Sequence, residues 1–371
     1  MSHALLLGWP KDELIPLLIL STVPATITLT QVTGESESLE HTAYTLSSTL
    51  LHTETKYILT FKTSSEKQVY EVYAPNIVDW EGIIVRSCDN AGLTFRKRSI
   101  EKLKALKPKG VITLGDMIYA DIYRPTFSGT PYETYYQVWC QALHELIPIT
   151  THSATLFIAD DHEINDNVDF DNMTSDETVG FILLHDIYQK LAGHFRTPTN
   201  NVSPYDNYTF SLAGSQVLML GHKDVNFVKK VLAETNQPLV VFSNKPGIMT
   251  KSAWMTRLYY TCVGGYMPVD ACPGLFNLLA SHPKPVRFIA GDYHRLLTGN
   301  YKGVEIRVTS PFSGVQFWGE EQYFPDITQK SQSSNFYCVK QDKHVIIETS
   351  EWERYWNSLV TMQYRTCGCS L

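Results

Sequence analysis

The sequence lacks the features typical of transmembrane proteins, of repeat proteins and of proteins that bind nucleic acid over a large surface. It contains no apolar run long enough to span a bilayer, no internal repeat and no low-complexity segment. Its charge is nearly balanced at −7, whereas a domain that binds nucleic acid over its surface carries a basic excess. We therefore predict no transmembrane segment and no specific nucleic-acid partner.

Cysteine is sparse, and we predict no signal peptide. The seven cysteines are scattered and odd in number, which argues against a disulfide-stabilised scaffold and favours a reducing compartment. The apolar stretch at residues 13–22 is short, contains Pro16 and follows acidic rather than basic residues, so it makes a poor signal peptide. These two observations predict a cytoplasmic location.

The N-terminal part of the chain has the alternation typical of β-structure. With 371 residues, of which 43% are hydrophobic, the chain can bury a large core and has room for about two domains. The segments 25–32, 56–63 and 68–75 alternate apolar and polar residues and predict half-buried strands. We predict a small antiparallel all-β domain over residues 1–78.

Beyond residue 78 the pattern changes to short buried strands that alternate with helices. Buried strands are predicted within 82–90, 110–116, 154–161, 216–221, 238–243 and 286–292, and helices within 95–110, 131–147 and 176–195. This alternation is typical of a layered α/β domain. We predict that domain over residues 79–350, followed by a C-terminal tail at residues 351–371.

Metal-ligating residue types follow four of the predicted strands directly. These residues are Cys88, Asp116, Asp160, Asp161, His162, Asp292 and His294. In layered α/β folds, ligands bind beyond the carboxyl ends of the strands, where the loops converge. Each motif alone is weak, but four strands that end in this way predict a metal site at one edge of the sheet.

For the stretch 158–167 and for Cys88, a role without metal is an alternative. In IADDHEINDN (158–167), Asp160 and Asp161 repel each other, and such repulsion raises carboxylate pKa unless a cation lies between the groups. The stretch is therefore either a solvated loop or one wall of a metal site, and the other three strand ends favour the wall. Cys88 could be a small buried hydrophobe, although its place after a strand favours a thiolate ligand.

The order of these motifs resembles that of the PhoD-type alkaline phosphatases, a branch of the metallophosphoesterases. The chain reads SCD at 87–89, GDMIYAD at 115–121, ADDHEINDN at 159–167 and GDYHR at 291–295. The order of the four motifs is specific, although no single motif is. The resemblance covers roughly residues 22–350 and implies an α/β fold: a layered metallophosphoesterase-like β-sandwich flanked by helices.

The resemblance also implies roles for individual residues. Asp116 would bridge two cations, His162 would meet the phosphoryl group, and Asp160 beside it is grouped with His162 as a catalytic candidate. The implied metal ligands are Cys88, Asp116, Tyr119, Asp161, Asp292 and His294. Carboxylates and a phenolate suit Fe³⁺, Ca²⁺ or Mn²⁺ better than Zn²⁺. We expect Fe³⁺ with Ca²⁺, with Mn²⁺ and Zn²⁺ as alternatives.

The function that follows is metal-dependent hydrolysis of a small-molecule phosphomonoester or phosphodiester. One alternative is a related metallohydrolase that acts on another ester or anhydride. The other is a binding protein whose decayed active site serves as a scaffold. Two departures from the family pattern bear on this choice: the family often has Leu-Asp-Thr-Arg where this chain has Leu220 and 221–223 (Gly-His-Lys), and often has Trp where this chain has Ala159.

Overall fold

A computed structural model of the chain describes the greater part of its length. The described residues are 3–90, 96–166, 168–193, 195, 203–221, 224–248, 272–309, 312, 326–331 and 333–347. The predicted C-terminal tail at 351–371 lies outside them.

The described residues form strands throughout and helices after residue 95. The strands are β1 (His3–Leu7), β2 (Leu14–Ser21), β3 (Ala25–Gln31), β4 (Ser36–His41), β5 (Thr45–His52), β6 (Thr55–Lys62), β7 (Lys67–Ala74), β8 (Ile83–Arg86), β9 (Gly110–Leu114), β10 (Ala154–Ile158), β11 (Tyr208–Leu212), β12 (Ser215–Leu220), β13 (Leu239–Ser243), β14 (Val286–Ala290), β15 (Leu296–Tyr301), β16 (Val304–Val308), β17 (Asp326–Ser331), β18 (Ser334–Cys338) and β19 (Lys343–Ile347). The helices are α1 (Arg96–Leu106), α2 (Ala120–Tyr123), α3 (Pro131–His144), α4 (Ile147–Thr150), α5 (Ser175–Ala192), α6 (Val225–Glu234) and α7 (Pro273–Ala280), with a 3₁₀ turn at Arg124–Thr126.

The N-terminal region consists of two antiparallel sheets. One has the strand order β1-β2-β5 and the other β4-β3-β6-β7. One face of β1 and β2, which includes Leu5 and Leu17, shares a core with Leu59 and Phe61 of the second sheet. The opposite face, which includes Leu6, packs among residues of α3 and α5. The all-β region is therefore joined to the α/β part by a common core.

Two larger mixed sheets form the centre of the molecule. The five-stranded sheet has the order β10-β9-β8-β18-β19, with β8, β9 and β10 parallel. The seven-stranded sheet has the order β11-β12-β13-β14-β16-β15-β17, with β12, β13, β14 and β16 parallel. Side chains from both sheets, such as Ile112 from the first and Phe242 from the second, meet in one buried cluster. The sheets therefore pack face to face as a sandwich.

Helices cover the outer faces of this sandwich. Residues of α1, α3 and α5 pack against the five-stranded sheet, and residues of α6 and α7 pack against the seven-stranded sheet. Helices α3 and α5 both begin at a capping box, in which Thr130 with Glu133, and Thr174 with Glu177, satisfy free backbone N–H groups reciprocally. Both helices therefore have a defined first turn; α3 precedes β10 in the chain and α5 follows it.

The predicted fold class is confirmed: the chain is a layered β-sandwich flanked by helices, with all-β sheets at the N-terminus. The division of the chain at residue 78 stays a prediction. The sequence interpretation assigned no strand before residue 22, whereas β1 and β2 are strands whose residues are almost all buried. In the described ranges, none of the helices is long and apolar enough to cross a membrane.

Burial of His3 on β1 makes a testable contribution to stability. Burial, assisted by the neighbouring His144, lowers the pKa of His3 to about 4. Since its ordinary pKa is 6.5, the unfolded chain binds the proton more tightly below that pH, and stability falls as the pH drops from 6.5 towards 4. We expect a loss of about 2 kcal/mol at pH 4.5 relative to pH 7 from this residue alone.

Urea unfolding at both pH values measures this loss. His3→Phe keeps a ring stacked on Phe61, whose centroid lies 4.0 Å from that of His3, and removes the titrating group. The variant should therefore lose about 2 kcal/mol less than the wild type over the same interval. Equal losses in the two proteins would show that His3 titrates normally in the folded state.

Candidate metal centre

The strand register brings the four motifs to one edge of the sandwich. Ile158 pairs with Leu114 across β10 and β9, and Asp160 and Asp116 each stand two residues beyond that pair. Cys88 stands two residues beyond the end of β8, and Asp292 two beyond the end of β14. The sequence predicted one edge of a single sheet, whereas these residues come from both sheets, which bring them to one edge of the sandwich.

Four candidate ligands adopt an unfavourable backbone conformation. Cys88, Asp116, Asp292 and His294 have φ angles of +54°, +52°, +58° and +50°. Positive φ is uncommon for residues other than glycine, and such strain is concentrated at functional sites. Each residue turns the chain sharply after its strand, which aims its side chain at the site.

Two glycines let the motif loops approach each other closely. A Cβ atom on Gly115, which has a φ of +80°, would lie 2.6 Å from the Cβ of Asp160. A Cβ atom on Gly291 would lie 2.1 Å from the backbone oxygen of Leu114. Glycine at both positions is therefore required for the loops after β9, β10 and β14 to meet.

The first group of potential ligands, the cysteine cluster, consists of Cys88, Asp116 and His294. All three are buried, and one ligand atom from each lies within 4.8 Å of the others. The Tyr119 hydroxyl donates to Asp116 Oδ2 at 3.2 Å and lies 3.5 Å from His294 Nε2. A thiol, a carboxylate, an imidazole and a phenol thus lie close together.

The second group, the carboxylate cluster, consists of Asp116, Asp160 and Asp161. One oxygen from each lies within 4.8 Å of the others. Asp116 Oδ1 and Asp160 Oδ2 are buried and accept no hydrogen bond from the described residues. Burial, reinforced by the charges of Asp161 and Asp292, raises the pKa of Asp116 to about 7. Orphaned carboxylate oxygens of this kind fit a bound cation, which would hold them ionised.

His162 lies next to both clusters and is held by a carboxylate. Its Nδ1 lies 3.0 Å from Asp121 Oδ2, and its ring stacks on Tyr119 with centroids 4.2 Å apart. Burial alone would lower the pKa of His162, but the carboxylates of Asp121 and Asp116 raise it well above its usual range. The geometry therefore favours a protonated imidazole with a fixed orientation.

Sequence reasoning missed three residues of the site. Glu163 accepts from the backbone N–H of Met117 and, at 3.0 Å, of Asp160, and so ties two motif loops together. Asp121 orients His162. Both lie within the quoted motifs, and their position could have suggested a role.

The third missed residue is Lys245, two residues after β13. Its Nζ lies 2.8 Å from Asp160 Oδ1, 3.0 Å from Asp292 Oδ2 and 3.6 Å from Asp161 Oδ1. Burial alone would lower the pKa of Lys245, but these carboxylates raise it well above its usual range. In sequence it is one lysine in a loop, and no local pattern distinguishes it from a surface residue.

Asp89, which follows Cys88, has a structural role. Its carboxylate accepts from Arg86 Nη1 at 2.6 Å and from Arg96 Nε and Nη2 at 2.7 and 2.9 Å. Its side chain and both arginine side chains are at most 3% exposed, and Arg96 continues to Glu145 at 2.8 Å. This buried network anchors the loop that carries Cys88.

The two departures from the family pattern lie at residues 221–223 and at Ala159. Gly221 is described, and a Cβ atom there would lie 2.1 Å from the backbone oxygen of Tyr205. His222 and Lys223 lie outside the described residues. Ala159 is buried, and its backbone oxygen accepts from the Asn244 side chain at 3.1 Å.

The fold is similar to that of two solved structures. The structure of PhoD is similar over 98% of this chain and 97% of its own, at 12% identity and a TM-score of 0.57. The purple acid phosphatase PPD1 from yellow lupin (Lupinus luteus) seeds is similar over 95% of this chain and 76% of its own, at 11% identity and a TM-score of 0.57. The predicted resemblance is thus confirmed at the level of the fold. The sequence matches no protein-family model and no curated protein.

Proposed function

We propose that this chain hydrolyses phosphate esters with the help of a bound metal ion. The observation that carries the proposal is the meeting of Cys88, Asp116 and His294 within 4.8 Å, beside a buried carboxylate oxygen that has no partner among the described residues. The fold shared with two phosphatase structures supports the same reaction class.

The site residues divide into those that would hold metal and those that would act on the substrate. Cys88, Asp116, Tyr119 and His294 would hold an ion at the cysteine cluster, and Asp161 and Asp292 lie beside them. When bound, the ion would lower the pKa of a water molecule and polarise a phosphoryl oxygen. Asp160 is a weaker candidate for catalysis than for binding a cation, because its Oδ2 belongs to the carboxylate cluster.

His162 is the residue that we assign to proton transfer. Asp121 fixes its Nδ1 side, so that Nε2 is the nitrogen that can donate a proton to the leaving oxygen of the ester. The carboxylates of Asp121 and Asp116 raise the pKa of His162, which favours the protonated imidazole that a general acid requires. In the same state it can stabilise negative charge that develops on the phosphoryl group.

We propose iron as the ion at the cysteine cluster, with Ca²⁺, Mn²⁺ and Zn²⁺ as the other ions to be tested at this site. The donor set supports iron because a ferric ion can hold the phenol of Tyr119 and the thiol of Cys88 deprotonated. Burial, with the charge of Asp116, raises the pKa of Tyr119 well above its usual range, so only a strongly charged ion would ionise it. A ferric phenolate would colour the purified protein.

His162→Ala should slow turnover without removing metal. General acid catalysis is worth roughly 10²–10⁴-fold in rate, and we expect a fall of about that size in kcat. Elemental analysis of the same preparation should show unchanged metal content. Because His162, Asp161 and Asp166 also lie close enough to hold an ion, loss of metal in this variant would instead identify His162 as a ligand.

The proposed function is tested by a panel of phosphomonoesters and phosphodiesters assayed before and after strong chelation. We expect hydrolysis that chelation abolishes and added metal restores. Hydrolysis of carboxylic esters or anhydrides in preference to the phosphoester panel would favour the related metallohydrolase. A protein with no stoichiometric metal and no hydrolysis would favour the scaffold. We also propose a small-molecule substrate and a cytoplasmic location, the latter supported by cysteine usage.

A further inference from the structure

We propose that Lys245 takes the place of the second metal ion, so that the site holds one ion, at the cysteine cluster. The inference rests on the proposed function, because it assumes a metal centre at this edge of the sandwich. It depends on a lysine that none of the four motifs contains.

The Lys245 ammonium group lies among carboxylates that could otherwise bind a metal ion. Its Nζ lies within 3.6 Å of oxygens from three carboxylates, those of Asp160, Asp161 and Asp292. Two of these, Asp160 and Asp161, belong to the carboxylate cluster that could otherwise bind an ion. A metal ion that bound Asp160 and Asp161 would therefore lie close to the ammonium group, and the two like charges would repel.

The backbone around Lys245 is positioned by the strand register and by hydrogen bonds. Ser243 is the register partner of Ala290 across β13 and β14, which puts Lys245 and Asp292 each two residues beyond the paired position. The backbone N–H of Lys245 donates to Asn244 Oδ1 at 2.9 Å, and its backbone oxygen accepts from Ser243 Oγ at 2.8 Å. Asn244 in turn donates to the backbone oxygen of Ala159 at 3.1 Å.

The two clusters differ in what they offer an ion. The cysteine cluster combines a thiol, a carboxylate and an imidazole. The carboxylate cluster already has a positive group bound to it. One ion and one ammonium group would then share the negative charge of Asp116, Asp160, Asp161 and Asp292.

The number of bound ions tests the inference directly. The full chain is stripped with a chelator, incubated with excess Mn²⁺, desalted, and examined by native mass spectrometry and elemental analysis. We expect one Mn²⁺ in the wild type and two in Lys245→Met, which keeps the length of the side chain and removes its charge. Lys245→Arg, which keeps the charge, should hold one.

Lys340→Met is the matched control, because Lys340 forms only an exposed ion pair with Glu81 at 3.1 Å; it should also hold one ion. Far-UV circular dichroism checks that each variant is folded, and Lys245→Ala replaces Lys245→Met if the latter is not. Two ions in the wild type, or one ion in the folded neutral variants, would overturn the inference while leaving phosphoester hydrolysis untouched. One ion in the wild type and two in Lys245→Met support it even if no phosphoester is cleaved, in which case the proposed function alone fails.

Discussion

Asp116→Asn is expected to abolish phosphoester hydrolysis and to lower the metal content of the purified protein. Asp116 is the one residue shared by the cysteine cluster and the carboxylate cluster, and its Oδ1 is buried without a partner among the described residues. An amide removes the negative charge and one of the oxygens that could bind an ion. Changes to groups around metal ligands cost about 10–100-fold, so loss of a ligand should lower metal affinity and kcat/KM by at least about 100-fold.

The same substitution at an exposed position is the control for Asp116→Asn. Asp171 lies in an exposed turn before α5, and Asp171→Asn should leave activity and metal content at wild-type values. Elemental analysis and a phosphoester assay on the same samples make the comparison. An Asp116→Asn protein with full metal content and near wild-type turnover would show that the metal centre is assigned to the wrong residues.

Asp89→Ala is expected to destabilise the fold by about 3–5 kcal/mol. The substitution leaves Arg86 and Arg96 buried without the carboxylate that accepts three of their N–H groups, and removing one partner from a buried ion pair costs about that much. Denaturant unfolding monitored by tryptophan fluorescence measures the change. Because Asp89 follows Cys88, we also expect the variant to bind metal less tightly at temperatures where it stays folded.

Asp342 offers a matched control for the buried network. Its carboxylate accepts two hydrogen bonds from Arg307, both 2.9 Å long, but its side chain is 38% exposed. Ion pairs at the surface contribute about 0–1 kcal/mol, so Asp342→Ala should cost far less than Asp89→Ala. Similar losses in the two variants would mean that burial of the Arg86–Asp89–Arg96 network adds nothing to its strength.

The convergence of the four motifs could be predicted because each motif directly follows a strand. Parallel strands of one sheet end at the same edge, so polar residues that directly follow β8, β9 and β10 converge. Strand β14 belongs to the other sheet, and its residues join them because the two sheets pack face to face. The fold class followed from the same alternation of strands and helices. The pairing of the sheets, in contrast, depends on contacts between residues far apart in sequence.

The features that escaped prediction lack a local signal. Strands β1 and β2 are apolar on both faces, since one face packs on the second N-terminal sheet and the other on α3 and α5; the alternation that identified β3, β6 and β7 is therefore missing. Lys245 reaches the carboxylates through the register of β13 with β14, which no pattern of residue types reports. The buried ion pairs of Asp89 also escaped prediction, because one of its partners is Arg96, seven residues later on a helix.

The positive φ angles at Cys88, Asp116, Asp292 and His294 lower the stability of the fold. At such positions glycine is favoured over other residues by about 1 kcal/mol, so each of the four currently holds the chain below the stability that it could reach. In a lineage that no longer used this site, glycine substitutions would be gains, and four of them would accumulate readily because most other mutations destabilise. At these four positions the fold thus gives up some stability to present a thiol, two carboxylates and an imidazole at the site.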